Sequence, residues 1–172
     1  MSVTADLGYA HTEPNALQRL TRAWVASPVG AVTVSRFLHV LDRMVFRATR
    51  GRATATSILS GLPVITLTTT GARTGLARTV PLVAIPFGDD LAIIGSNFGQ
   101  SRRPGWVHNL AVNPTAKVRY RNREIAVTAR HATTVETENA FAAGVVVYPG
   151  YGTYRERATD RVITVFVLQA VR

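Results

Sequence analysis

Pro63-Val64-Ile65-Thr66-Leu67-Thr68-Thr69-Thr70, followed by Gly71-Ala72-Arg73-Thr74-Gly75 and then by Thr79-Val80-Pro81-Leu82-Val83-Ala84-Ile85-Pro86, is the stretch on which the fold turns. Its first part is rich in β-branched residues, its middle holds two glycines within five positions, and its last part is strand-like again. The pattern predicts an antiparallel hairpin with a polar, glycine-containing turn.

Downstream, Gly88-Asp89-Asp90 reads as a turn into the apolar run 91–95, which is predicted to be a buried central strand that extends the hairpin into a meander. Residues 96–105 are polar and read as a loop. Trp106, Leu110 and Ala111 then share a helical face until Asn113-Pro114 stops it. Residues 117–120 and 124–129 flank Arg121-Asn122-Arg123 and predict a second hairpin with a basic tip. Thr133 and Glu136 have capping-box spacing, opening a helix through Phe141 to about residue 147, where Pro149 and Gly150 end it. Residues 162–168 form a final strand. The expected fold is α+β and mainly β, with about six antiparallel strands in a closed or nearly closed small barrel and short flanking helices.

Upstream, Phe37, Val40, Leu41, Met44 and Val45 recur at helical spacing, with Arg36, His39, Asp42, Arg43 and Arg47 mostly on other faces. This predicts an amphipathic helix ending near Gly51. Two placements are open for it: packed on the barrel, or resting on anionic lipid through residues 36–50. The chain thus divides into a leader and helix, residues 1–50, and a single barrel domain, residues 51–172. At 172 residues it suits one well-filled core.

The formal charge is +10, and every basic residue except Lys117 is an arginine, a planar donor suited to phosphate and carboxylate. The chain has no cysteine, which excludes disulfides, thiolate metal sites and a cysteine nucleophile. Its four histidines are scattered, and no pair has metal-ligand spacing, so no metal is expected. The start carries Asp6 and Glu13 with no basic region leading into an apolar stretch, so no cleaved secretory signal is expected and a cytoplasmic location is the default. The apolar run 23–34 is too short to span a bilayer and is broken by Pro28 and Gly30.

Three clusters carry chemical potential. The turn 69–75 with Arg78 and Thr79 gathers backbone N–H groups, hydroxyls and two guanidiniums, able to hold a phosphate or carboxylate; the alternative is a turn with solvated arginines. Ser96-Asn97-Phe98-Gly99-Gln100, with Arg102, Arg103, Trp106 and Asn109, feeds a helix N-terminus; the alternative is a Trp106 core anchor with Asn109 satisfying local backbone. Tyr148, Tyr151 and Tyr154, interrupted by Pro149, Gly150 and Gly152, read either as a mobile lid over a flat ligand or as surface phenols on a turn of helix.

The run 67–75, then Arg78-Thr79-Val80-Pro81-Leu82, then Ser96-Asn97, Pro104-Gly105-Trp106, Asn109-Leu110 and Asn113-Pro114, resembles the deazaflavin-dependent nitroreductases, also described as F420H2-dependent quinone reductases. The resemblance covers roughly residues 62–168. It implies a split β-barrel, like those that bind FMN, holding reduced coenzyme F420. The hydride would pass to a quinone-like, nitroaromatic or other activated unsaturated acceptor. By resemblance Arg73, Thr74, Arg78 and Thr79 hold the cofactor phosphate, with Gly75 in the same turn. Val80, Pro81 and Leu82 lie along the ring, and Ser96, Asn97, Trp106 and Asn109 complete the groove. Arg73 stands where lysine is frequent in the family, a change that phosphate binding should survive.

Tyr148, Tyr151 and Tyr154 resemble the acceptor-pocket tyrosines of the prodrug-activating member. Ser96 and a tyrosine such as Tyr151 are therefore the expected donors to charge developing on the acceptor. Abundant alanine and arginine suit a GC-rich actinobacterial genome, where this cofactor is common. The alternatives are an FMN-dependent reductase and a non-catalytic deazaflavin carrier. Nucleic acid is not an expected partner, because the aromatic residues are not interleaved with the basic ones. A homodimer and peripheral contact at the inner face of the cell membrane are the further expectations, the second because a quinone is lipid-soluble.

Overall fold

The computed structural model describes residues 2–9 and 62–171. The expected amphipathic helix and the membrane contact through residues 36–50 lie outside the described residues. The expected first hairpin is present. β1 (Val64–Thr70) and β2 (Ala77–Val83) pair antiparallel in the register Thr70 with Ala77 through Val64 with Val83. The predicted second arm breaks at Ala84, and Ile85–Phe87 becomes a separate short strand, β3. Strand β4 (Asp90–Ile94) comes next, then α2 (Gly105–Val112), β5 (Thr115–Tyr120), β6 (Arg123–His131), α3 (Thr134–Val147), α4 (Gly150–Arg157) and β7 (Val165–Ala170). A short helix α1 (Val3–Leu7) precedes them all.

All seven strands belong to one antiparallel sheet in the order β2-β1-β5-β6-β7-β4-β3, so the expected meander is wrong although its strands are right. β2 and β3 are consecutive in the chain yet lie at opposite ends of that order. Only Ala84 separates Val83 from Ile85, and one residue reaches no more than about 7 Å. The sheet must therefore curl until its two edges meet at this corner, which is what makes it a split barrel. The Ala84 N–H donates to the Pro63 carbonyl (3.2 Å), and the Tyr9 hydroxyl donates to the Ala84 carbonyl (2.7 Å), so both backbone groups at the junction are satisfied. Pro81 is tolerated within β2 because an edge strand does not need every N–H.

The core has two parts. Ile65, Leu67, Val118, Val127, Phe166 and Leu168 fill the barrel, closed by Val3 and Leu7 from α1. A second cluster joins Ile85, Ile94 and Val165 to Ala140, Phe141 and Val147 of α3 and to the tyrosines of α4. Burying each large side chain stabilises by about 1.5–3 kcal/mol, so both clusters matter to the fold. The predicted capping box is present: the Glu136 N–H donates to the Thr133 hydroxyl while the Thr133 N–H donates to the Glu136 carboxylate. In α2 the buried face is Trp106, Val107 and Leu110, whereas Ala111 is exposed, contrary to expectation. The last strand begins at Val165, and Val162 is exposed.

Candidate active site

The hairpin turn between β1 and β2 owes its shape to backbone and to one side chain from another element. Gly71 and Leu76 close it through a 2.8 Å bond from the Gly71 N–H to the Leu76 carbonyl, and the N–H groups of Thr74 and Gly75 both donate to the Gly71 carbonyl. Gly75 sits at φ +66°, left-handed backbone that glycine adopts without strain. Asn109 reaches in from α2: its Oδ1 accepts from the Ala72 N–H (3.0 Å) and its Nδ2 donates to the Thr69 hydroxyl (3.0 Å). The Thr69 hydroxyl in turn donates to the Arg78 carbonyl (3.4 Å). The sequence points to Asn109 as a ligand contact; in the fold both ends of its amide shape the turn.

Arg73, Thr74, Arg78 and Thr79 are exposed around this turn. Among the described residues neither arginine has a carboxylate partner, since the ion pairs there join Lys117 and Arg119 to Glu124, Arg130 to Glu136, and Arg155 to Glu138. Two uncompensated guanidinium forks beside a pinned glycine turn form a donor set that fits a phosphate. The register divides the rest of β2. Val80 and Leu82 pack against the barrel core, whereas Thr79, whose hydroxyl lies 3.0 Å from that of Thr68, and Pro81 are on the opposite face.

The second cluster lies just after β4. Asn97 and Phe98 adopt left-handed φ values of +46° and +57°, and Gly99 is at +76°. For Asn97 and above all for Phe98 this backbone is strained, by roughly 1–2 kcal/mol. The Asn97 amide nitrogen donates to the Arg102 carbonyl (2.8 Å), so this side chain closes its own loop. Ser96 is buried, and its hydroxyl makes no hydrogen bond to another described residue. Arg161, just before β7, donates from Nη1 to the Gly95 carbonyl (3.1 Å), from Nη2 to the Ser96 carbonyl (2.7 Å) and from Nε to the Gln100 carbonyl (3.0 Å). The sequence offers no signal for Arg161, which lies outside every motif.

The loop then runs through Pro104 into α2, where Trp106 and Asn109 are one helical turn apart, about 5 Å along the axis. A single helix therefore ties the Ser96 loop to the hairpin turn.

The tyrosines meet the loop from its other side. Tyr151 and Tyr154 lie on α4 and Tyr148 at the end of α3. All three are buried, so they are not surface phenols on a turn of helix. Their rings cluster, the Tyr148 and Tyr154 hydroxyls share a 3.0 Å hydrogen bond, and the Phe98 ring meets Tyr154 edge-on with centroids 5.7 Å apart. A Cβ on Gly99 would come 2.8 Å from the Arg157 Cβ and 3.1 Å from the Tyr154 carbonyl, so the loop and α4 approach as closely as glycine allows. Burial raises the pKa of all three phenols, keeping them neutral O–H donors at ordinary pH. Among the described residues no group of histidine and carboxylate side chains could hold a metal, and no helix is long and apolar enough to cross a membrane.

The model of the F420H(2)-dependent quinone reductases matches residues 39–170, which takes in both clusters and the tyrosines. The chain belongs to that family. An F420H(2)-dependent quinone reductase of Mycobacterium tuberculosis is 35% identical over 107 residues, covering 62% of this chain and 68% of the relative. Among solved structures, an F420-H2 dependent reductase (FDR-A) is 34% identical with a TM-score of 0.57, covering 62% of this chain and 94% of its own. Another, solved as a domain-swapped dimer, is 29% identical with a TM-score of 0.59, covering 83% and 100%. The reductase is thus an F420-dependent oxidoreductase on a split-barrel fold. The FMN alternative finds no support among these relatives.

Proposed function

We propose that this F420-dependent reductase passes a hydride to a quinone-like acceptor, with the cofactor phosphate held at the hairpin turn by Arg73, Thr74, Arg78 and Thr79. The observation that carries the reading is the pair of guanidiniums without carboxylate partners among the described residues, around a turn pinned by Asn109. Reduced F420, when bound, supplies a low-potential hydride. The chain's own task is to orient donor and acceptor and to stabilise charge building on the accepting oxygen. No side-chain nucleophile is required.

Ser96, whose hydroxyl is not engaged with other described residues, is the candidate donor to that charge, with Pro81 and the outward face of β2 beside the ring. Asn109 shapes the groove rather than contacting the ligand, because both ends of its amide are bonded to protein, and Asn97 completes the groove with its amide nitrogen bonded within its own loop. Trp106, buried at the base of the loop, does likewise. Tyr148, Tyr151 and Tyr154 form the acceptor end, which opens only if at least one ring leaves the cluster.

The deciding experiment titrates the purified protein with oxidised and reduced F420, then adds menadione. Binding with turnover supports the reading, binding without turnover favours a carrier or an acceptor other than menadione, and absence of binding removes the proposal. Nitroaromatic turnover would widen the acceptor class. A two-copy assembly is supported by the relative solved as a domain-swapped dimer, and light scattering tests it. Attachment to anionic lipid through residues 36–50 is tested by co-sedimentation with anionic vesicles.

A further inference from the structure

The loop from Gly95 to Gln100 is the junction of the whole site. It carries Ser96, touches the tyrosine cluster through Phe98 and Gly99, and leads through α2 to the Asn109 that fixes the hairpin turn. Its backbone is strained at Asn97 and Phe98, so something outside the loop must hold it. Carbonyls on both sides of the strained pair, those of Gly95 and Ser96 before it and of Gln100 after it, all accept from the same side chain.

We propose that Arg161 is the positioning residue of the acceptor end: one guanidinium fork fixes the Gly95–Gln100 loop and so fixes where Ser96 stands relative to ligand. Three donors in a rigid plane can span three carbonyls, which a lysine ammonium on a flexible stem cannot do with the same geometry. Arg161 has no carboxylate partner among the described residues, so its binding capacity is directed at the loop. The hairpin phosphate site belongs to other elements, so losing the clamp should affect turnover more than cofactor affinity.

The inference rests on Ser96 being the acceptor-side donor, and the tests separate the two. Arg161→Ala and Arg161→Lys are compared with the parent in four measurements: trypsin cleavage after Arg102 monitored by mass spectrometry, F420 affinity by fluorescence, turnover of reduced F420 with menadione, and the melting temperature. Arg161→Ala and Arg161→Lys should both speed cleavage after Arg102 and lower kcat by about tenfold or more, as expected for a misplaced catalytic contact. F420 affinity should change little. Unchanged cleavage in Arg161→Ala would overturn the clamp, and so would full turnover in either Arg161 variant. Losses of affinity and kcat in step with the melting temperature would reduce Arg161 to a fold-stabilising role. Failure of the parent to bind F420 would sink the cofactor reading, while the cleavage rates would still judge the clamp.

Discussion

The hairpin turn at residues 69–78 and the tyrosine cluster at residues 148–154 are opposite solutions at the two ends of the proposed site. The turn is exposed, carries two cations without carboxylate partners among the described residues, and is held rigid by backbone bonds and by Asn109. The cluster is buried, neutral and closed by its own side chains, with the Tyr148 and Tyr154 hydroxyls satisfying each other. An anion can reach the first with no rearrangement, because the charge is already aimed outward. An acceptor can reach the second only by displacing an aromatic contact. On the proposed reading, cofactor affinity is therefore preorganised in this fold, whereas acceptor access has to be opened.

The most direct challenge to this contrast is to strip the charge from the open end. The double variant Arg73→Gln, Arg78→Gln should weaken F420 binding by roughly a hundredfold, at about 1.5 kcal/mol for each lost charge-assisted bond. Its melting temperature should stay at the parent value; a fall would mean the arginines are structural and the turn is not a ready-made site.

Next in size is Ser96→Ala, expected to lower menadione turnover by about tenfold with F420 affinity retained, since one aligned donor to developing charge is lost. Full turnover in both Ser96→Ala and Tyr151→Phe would remove the donor assignment altogether.

Tyr148→Phe addresses the closed end. It deletes the hydroxyl pair and should destabilise the fold by about 1 kcal/mol in chemical denaturation, leaving F420 affinity untouched. A loss of cofactor affinity here would show that the two ends are not separable.

The smallest effect lies at the start of α3. The Arg130 guanidinium, with the Thr133 N–H second in importance, holds the Glu136 carboxyl at about 2, below the usual carboxylate value. Because its folded pKa is depressed, its contribution to stability is complete above the ordinary carboxylate range and fades as pH falls toward 2. Glu136→Gln should flatten that part of an acid melting series; an unchanged acid limb would assign it to other groups.

Local patterns are legible in the sequence where local chemistry decides the outcome. The hairpins, the capping box of Thr133 with Glu136 and the stop at Asn113-Pro114 all depend on neighbours within a few positions. The strand order is not legible, because pairing β4 with β7 brings together segments whose contact no short window encodes. The same reason hides the tyrosine burial: the spacing of Tyr148, Tyr151 and Tyr154 describes one helical stripe but not what packs over it. It also hides the roles of Asn109 and Arg161, whose hydrogen-bonding partners all belong to other elements or loops.

Closing the sheet through β7 has a consequence for the order in which the protein becomes competent. β1 with β2, β3 with β4 and β5 with β6 are short-range hairpins that can form as the chain emerges, while β7 must find β4 and β6 across a long stretch of sequence. Arg161 sits directly before β7, so its three bonds to the Gly95–Gln100 loop wait on that last docking event. The proposed phosphate-binding turn can therefore mature early in folding, but the proposed acceptor end is completed only when the barrel closes, which on that reading makes catalytic competence a late folding event.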